Sequence, residues 1–513
     1  MPNLLSHLIL DDAYIFLRFV RNCLNGYGIV WNIGEHPVEG FSSFLYFFLL
    51  LAISKLINVP LDIVLQPIGI VFSIGTIIFV YILSNKIIKN PYFALMPTTF
   101  LACSPSFIMW SSNGMDTSIY LFFFVVFVHL YTKSSTKNIY FLSIVSVLFA
   151  LARTEALLII FITFIFEMYR RIKSKEKVFD KSIIIAGLIF IVCYGSFFIW
   201  RWHYFGYLFS NTYYAKTGGG IYQIIGGFKD AISSFSTIFT GFSALILLPI
   251  FFHKINKNLH WEENYLLVLI IVISISNILV GGDVFHVRFY LPVFVILLIL
   301  STYSFYTFKK VNNFKKIIGL TYLLLIPILT FYSFYNTDTY KEIRRLYRDV
   351  PTYIKKINSY PSTSETNAES YYDSKTTFRA ITDVLNDTID PNSSIALVAV
   401  GTIGYYSNFT IYDMVGKVDE RIAHTRFDDY FIKTWRPGHD KGDGIYILSR
   451  KPDYILLNSI LTREPAEVPS SFDMQYKSVV EIWNSKEFTM NYYFSPIVLD
   501  SGWYLNTWKR ITD

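Results

Sequence analysis

Apolar residues in this chain come in long unbroken runs rather than in stripes. Such runs lie near 63–85, 91–109, 117–132, 138–152, 154–169, 182–203, 232–252, 264–281, 289–308 and 316–335. A helix needs about 20 apolar residues to cross about 30 Å of hydrocarbon, so the pattern predicts an α-helical polytopic membrane protein of about ten spans. Two runs, 138–152 and 154–169, are short and read as a bent pair around Arg153-Thr154-Glu155. An eleventh run, 41–57, reads as an amphipathic helix lying in the membrane interface. From residue 336 charge rises and the long runs stop. The polar stretch 361–370 reads as a linker, followed by a helix over 375–389 and strands in S-I-A-L-V-A-V and Y-I-L-L-N. Alternating strand and helix signals predict a small α/β domain. The predicted division is a membrane domain at 1–335, whose residues 1–60 carry an acid pair and the interfacial helix, and a soluble domain at 336–513.

Composition supports this reading. Charged residues make up 16% of the chain and hydrophobic ones 53%, against about 25% charged in soluble domains. The net charge of +7 is gathered in short loops between apolar runs, which is the positive-inside pattern and not a nucleic-acid footprint. Loops holding Lys86/Lys89, Lys133/Lys137, Arg170 to Lys181, Lys254/Lys257 and Lys309 to Lys316 are then cytoplasmic. Loops at 110–116, 153–155, 204–231 and 281–288, and everything after 336, face the extracytoplasmic side. If 41–57 crossed the membrane, Asp11-Asp12 would face away from all these polar clusters. Placing that run in the interface puts the acid pair with them, and predicts a further membrane helix ahead of residue 1. No signal peptide is legible in M-P-N-L-L-S-H-L-I-L. Three cysteines and the absence of CxxC or HExxH imply neither a disulfide framework nor a familiar zinc site.

Candidate chemistry gathers in five places. Asp11, Asp12, Arg18, Arg21, Glu35, His36 and Glu39 precede the first clear span. Asp11, Arg18 and Arg21 share a helical face. Carboxylates near a membrane boundary suggest a working site, while the bland alternative is a solvated helix start with acids in its first turn. N-T-Y-Y-A-K-T-G-G-G brings Lys216 beside three glycines, which is either an anion cradle or an ordinary flexible loop. G-G-D-V-F-H-V-R packs Asp283, His286 and Arg288 into six positions. These are cavity liners or snorkelling anchors, and two ligand types alone do not make a metal site. Arg153, Glu155 and Asp116 form the fourth group. The fifth is soluble: G-T-I-G-Y-Y-S, D-M-V-G-K-V-D and G-H-D-K-G-D-G, the last containing His439. Its glycines read equally well as turns.

These motifs, in order, carry a family likeness. D-D-A-Y-I, W-N-I-G-E, N-G-M-D-T, A-R-T-E-A, N-T-Y-Y-A-K, G-G-D-V-F-H-V-R-F-Y-L-P, G-T-I-G-Y-Y-S and S-R-K-P-D-Y-I together resemble the GT-C membrane glycosyltransferases. Within them the chain is most similar to the terminal β-arabinofuranosyltransferases of mycobacterial cell-wall synthesis and their relatives, one group of which is linked to flagellar motor control. The resemblance implies a GT-C-like helical scaffold with its active site at the outer membrane face, and a first spanning helix ahead of D-D-A-Y. It implies a polyprenyl-phosphate sugar as donor, a glycan or envelope polymer as acceptor, and Asp11 or Asp12 as catalytic base. A lipid phosphate monoester leaves readily, so the chemistry needs a base for the acceptor hydroxyl and cations for the departing phosphate. Lys216, Arg288, Arg153 and Arg18 are the candidate cations; Arg21, Glu39, Asp116, Glu155, Asp283, His286 and His439 are further candidate substrate contacts. A metal is not obligatory, although adjacent aspartates can hold a divalent cation. Two rivals stand beside this expectation: a transferase on the same scaffold that modifies protein or lipid, and a non-catalytic membrane assembly factor serving, for example, motility.

Overall fold

The computed structural model describes residues 9–57, 59–133, 136–239, 260–285, 287–309, 378–428, 435–457, 461–499 and 502–511. Its first part is helical. Helix α1 (Asp11–Leu24) has two acids in its first turn and Arg21 in its last, matching the helix dipole at both ends. Helix α2 (Phe44–Leu56) follows, with the Ser43 hydroxyl accepting the Tyr46 N–H at 3.3 Å. The sequence predicted an amphipathic helix here. The observed α2 is apolar on every side: Phe44, Tyr46, Phe47 and Leu50 are buried, while Phe48 and Leu56 are exposed.

Among the described residues four helices are long and apolar enough to cross a membrane: α3 (Leu61–Ile88), α9 (Lys181–Phe205), α12 (Trp261–Val280) and the segment Arg288–Thr307, which contains most of α13 (Leu291–Lys309). A fifth candidate is the bent pair α4 (Pro91–Ala102) and α5 (Pro105–Ser112), turned by 64°. The break falls where Pro105 starts a new helix, since proline has no N–H to continue the old one. The remaining helices before residue 240 are α6 (Thr117–Thr132), α7 (Thr136–Ala152), α8 (Ala156–Lys173), α10 (Asn211–Lys216) and α11 (Gly220–Phe239). The break at Arg153-Thr154-Glu155 is thus present between α7 and α8. The runs expected over 232–252 and 316–335 lie partly or wholly outside the described residues.

Helix α13 is the bundle's axis: 83% of its spanning window is buried, against 11% for α9. Helix α9 turns Leu188, Ile191, Val192 and Ile199 outward. A polar solvent would not tolerate so continuous an apolar face, and a lipid one would.

The C-terminal part is the predicted α/β unit. Helix α14 (Arg379–Thr388) leads into β1 (Ser394–Leu397), α15 (Gly401–Tyr406), β2 (Thr410–Asp413), α16 (Glu420–Ala423), α17 (Gly444–Ser449) and β3 (Tyr454–Ile455). Then come α18 (Lys477–Trp483), α19 (Lys486–Asn491), β4 (Tyr492–Phe494), β5 (Ile497–Val498), β6 (Tyr504–Leu505) and β7 (Trp508–Arg510). The main sheet runs β2-β1-β3-β7-β4, and β5 pairs with β6. Strand β1 is parallel to β2, with Ser394 opposite Thr410 and Leu397 opposite Asp413, and parallel to β3. Strand β7 is antiparallel to β3 and β4. The motif G-T-I-G-Y-Y, whose glycines read as turns, forms helix α15 instead.

Candidate functional site

The carboxyl ends of β1 and β2 face the helical part, and each delivers a contact to the acid pair. After β1 the chain enters α15, whose first amides meet Asp11. Gly401 N–H donates to Asp11 Oδ2 at 2.9 Å, while Thr402 N–H and its hydroxyl both donate to Oδ1 at 2.7 Å. The approach is tight: a Cβ on Gly401 would stand 1.9 Å from the Asp11 carbonyl oxygen. At the other end of α15, Arg18 donates to the carbonyls of Gly404 (2.8 Å), Phe409 (2.9 Å) and Trp31 (2.8 Å) and to Asn32 Oδ1 (2.9 Å). Arg21 donates to the carbonyls of Tyr405 and Ser407. One face of α1 therefore grips α15 at both ends, acid at its amino terminus and guanidinium at its carboxyl terminus, as the helix dipole favours.

Asp11, Arg18 and Arg21 share a face, as their spacing required, and these contacts commit that face to the α/β unit. Gly401→Ala is expected to push α15 off α1 and destabilise the docked unit by about 3 kcal/mol, the upper range for overpacking. Faster hydrogen exchange at the amides of 401–407 would register it; unchanged exchange would contradict the tight approach.

Asp12 points elsewhere. Its Oδ1 accepts from Lys417 Nζ at 2.7 Å, and the carboxylate stays about one fifth exposed. Lys417 follows β2 in a turn built by the buried Asp413, which accepts the N–H groups of Val415 (2.9 Å) and Val418 (2.8 Å). Burial raises the Asp12 proton affinity, but Lys417, with His439 and Lys216, outweighs it and holds the group below the ordinary carboxylate value. Burial, with the Asp12 charge, pushes Asp11 the other way against its three donors. Among the described residues no three His, Cys, Asp or Glu side chains are placed to hold a metal ion, and the two adjacent aspartates serve different partners.

Three cations converge on the ring of Phe289. Its centroid lies 5.1 Å from the Arg153 guanidinium, 5.6 Å from Lys216 Nζ and 4.9 Å from the Arg288 guanidinium. Asn277 Nδ2 fixes this position by donating to the Phe289 carbonyl at 3.0 Å. Each cation has a carboxylate: Arg153 lies 3.2 Å from Asp116 and 3.0 Å from Glu155, Arg288 2.6 Å from Asp283, and Lys216 3.6 Å from Asp283. The Lys216 pair is the loosest, and Lys216 is the most exposed of the three at 23%, against 6% for Arg153 and 5% for Arg288. Burial lowers the Lys216 proton affinity, Arg288 and Arg153 lower it further, and Asp283 and Asp12 oppose them. Glu155 is held down to about 2, Arg153 overcoming its burial. The structure thus brings Asp12, Asp116, Arg153, Glu155, Lys216, Asp283 and Arg288 into one electrostatic network.

His439 joins from the soluble unit. Burial and the neighbouring Lys417 push it down to about 3, against the opposing pull of Asp12, so its ring is neutral at ordinary pH. Its Nδ1 lies 3.2 Å from the Pro437 carbonyl, which can only accept. The proton therefore sits on Nδ1 and leaves Nε2 as an acceptor.

One glycine of the glycine-rich loop packs against a ring. Trp435 of the soluble unit inserts there, donating from Nε1 to the Gly281 carbonyl at 2.8 Å. A Cβ at Gly219 or Gly226 would stand 2.1 or 1.9 Å from its ring. The glycines clear a slot for an indole. Glu39 lies apart from the network, in a buried pair with Arg201 at 2.5 Å. His286 lies outside the described residues. Lys417, Phe289 and Trp435 were not singled out in the sequence. Lys417 sat inside the quoted D-M-V-G-K-V-D, but nothing local marks it as a partner of Asp12, 405 positions earlier. A cleft of about 790 Å³ bordered by α6, α7, α8 and α9 reaches the far end of α8, where Glu167 pairs with Arg170 and Arg171.

The class these observations define is a largely helical protein, built with helices fit to cross a membrane, on which a small α/β unit closes a charged site. A family described as a domain of unknown function (DUF8728) matches residues 366–504. That stretch covers most of the α/β unit, including Lys417 and His439. No curated protein matches the chain.

Proposed function

We propose that the chain is an inverting glycosyltransferase of the cytoplasmic membrane, working at the extracytoplasmic face. It would move a sugar, arabinofuranose being the first to test, from a polyprenyl-phosphate donor to a glycan or envelope polymer. The observation that carries this reading is the division of labour in the acid pair. Asp11 is consumed in docking, while Asp12 stays ionised and partly exposed, in the electrostatic field of Lys216 and of the cations around Phe289.

In this reading Asp12 takes the proton of the acceptor hydroxyl as its oxygen attacks the anomeric carbon opposite the phosphate. The bond from that carbon to the phosphate oxygen breaks and the anomeric centre inverts. Lys216, loosely paired and partly exposed, meets the departing phosphate, and Arg153 and Arg288 stay clamped by their carboxylates behind it. Such fixed charges stabilise the transition state because they need little reorganisation. Neutral His439 offers Nε2 to a second hydroxyl of the acceptor.

The test uses the full chain in membranes, a panel of polyprenyl-phosphate sugars, and envelope glycan as acceptor. Transfer from one donor, lost in Asp12→Asn and weakened in Lys216→Met, is the expected result. Correctly inserted protein that transfers from no donor would defeat the proposal.

The pH profile gives an independent check. A base must be ionised, and Asp12 is held below its ordinary value, so the acid limb of kcat/KM should fall below about pH 4. Lys417→Met removes the largest stabilising charge and leaves burial in place, so the acid limb should move to higher pH. His439, Lys216 and Asp11 also act on Asp12 and remain in this variant. An unmoved limb would mean that Asp12 is not the group being titrated.

A further inference from the structure

Beside Lys216, five rings form a connected surface. Phe209 and Tyr213 lie 4.5 Å apart, Tyr213 and Tyr214 5.8 Å, Tyr214 and His424 4.3 Å, and His424 and Tyr207 4.5 Å. Four come from the segment leading to Lys216, and His424 comes from the soluble unit just after α16. Phe209 and Tyr213 are 44% and 37% exposed, and His424 is exposed as well. The surface is not uniformly apolar: Tyr207 donates its hydroxyl to Glu420 Oε1 at 2.5 Å, and His36 approaches Glu420 at 3.6 Å.

Two features separate these rings from a belt that merely anchors a helix in lipid. His424, lying against both Tyr207 and Tyr214, belongs to the α/β unit, so this part of the surface spans the contact between the two parts of the chain. A carboxylate stands at its edge, where hydrocarbon would offer it nothing and a polyhydroxylated ligand would offer donors. Sugars present flat C–H faces that stack on aromatic rings, and hydroxyls at their rims that need partners such as Glu420. The surface is also continuous with the candidate site. Tyr214 stands two positions before Lys216, and its carbonyl accepts from Lys441 Nζ at 2.8 Å, tying it to the loop that carries His439.

We propose that Phe209, Tyr213, Tyr214, His424 and Tyr207 form a carbohydrate-binding platform that lays an acceptor oligosaccharide toward Asp12. The acceptor role rests on the glycosyl-transfer reading, whereas carbohydrate binding itself does not.

The experiment measures binding of the full chain in lipid nanodiscs to a panel of immobilised pentose and hexose oligosaccharides, without any donor. Wild type, Tyr213→Ala and His424→Ala are compared. The expected result is that at least one glycan binds and that each ring variant weakens it by about tenfold, as the loss of one stacked aromatic contact allows. Equal binding by both ring variants would overturn the platform. So would the absence of binding to every glycan, or a loss of membrane insertion in the variants with glycan binding kept, which would mark the rings as a bilayer belt. Ring-dependent binding without sugar transfer would keep the platform and sink the transferase reading. Transfer with acceptor KM unchanged in both ring variants would do the reverse.

Discussion

Asp12→Asn is expected to cut sugar transfer by about 10²–10⁴-fold, the usual worth of a general base. The substitution keeps the shape of the side chain and removes its charge. Lys417 Nζ would still meet the amide oxygen, so the turn after β2 should hold its place and the chain should remain folded. The loss should fall on kcat, because the base acts as the acceptor proton departs, while donor KM stays near its wild-type value. Asp11→Asn is the contrasting variant. Its oxygens receive three donors from Gly401 and Thr402, so the amide would lose part of the docking contact and change stability more than chemistry. Should Asp11→Asn abolish transfer in fully docked protein while Asp12→Asn retains it, the assignment of the two acids would have to be exchanged. Full activity in both would favour a non-catalytic assembly role.

Arg18→Met should be the most damaging substitution for the docking of the α/β unit, at about 3 kcal/mol, because it leaves the buried Phe409 carbonyl without a donor and takes one donor from Trp31, Gly404 and Asn32 Oδ1, each of which keeps another. The guanidinium satisfies three backbone carbonyls and Asn32 Oδ1, and it does so in the dry contact between α1 and the 401–411 segment. Each buried acceptor left without a donor costs about 1–3 kcal/mol. Part of this is offset. Burial of the guanidinium, which pulls Arg18 down to about 9, is itself a cost that methionine removes. Asn22 still serves the Trp31 carbonyl at 3.0 Å, and Arg21 still reaches Gly404. Hydrogen exchange at 401–411 and the midpoint of thermal unfolding would report the change. A midpoint within about 1 °C of wild type, which corresponds to only a few tenths of a kcal/mol for a domain of this size, would show that the contact is not sustained in the membrane-embedded protein. The conservative change Arg18→Lys should fare little better, because one ammonium cannot reproduce the fork that serves several acceptors at once.

Much of the helical part was legible because hydrocarbon imposes a simple rule on sequence. A helix there must be apolar over its length and must satisfy its own backbone, so runs such as 63–85, 182–203 and 264–281 announce themselves without knowledge of their neighbours. The break at Arg153-Thr154-Glu155 and the strands at 394–397 and 454–455 were legible for similar local reasons. The amphipathic expectation for 41–57 failed because α2 is apolar all round, and a run that short carries too little periodicity to decide.

The candidate site was legible as a set of residue types and illegible as a division of roles. Helical spacing correctly placed Asp11, Arg18 and Arg21 on one face, but spacing says nothing of what covers a face, and here it is the backbone of α15, nearly 400 residues later. The three glycines after Lys216 read as an anion cradle or an ordinary loop, and only the position of Trp435 shows that one of them, Gly219, helps to clear a slot for an indole with Gly226 and Gly281. Lys417 and Phe289 carry no local signature at all.

The sequence by itself determined that the chain has helices fit for a membrane, that an α/β unit follows, and that acids and cations are held close to apolar segments. Those properties follow from hydrophobicity and period, which act over a few turns of chain. The tertiary structure decided which aspartate is bound up in docking and which remains partly exposed, which cation is loosely held, and that the α/β unit supplies both Lys417 and His439. Those properties depend on electrostatic and packing contacts between segments far apart in sequence, and such contacts exist only once the soluble unit has closed on the helices.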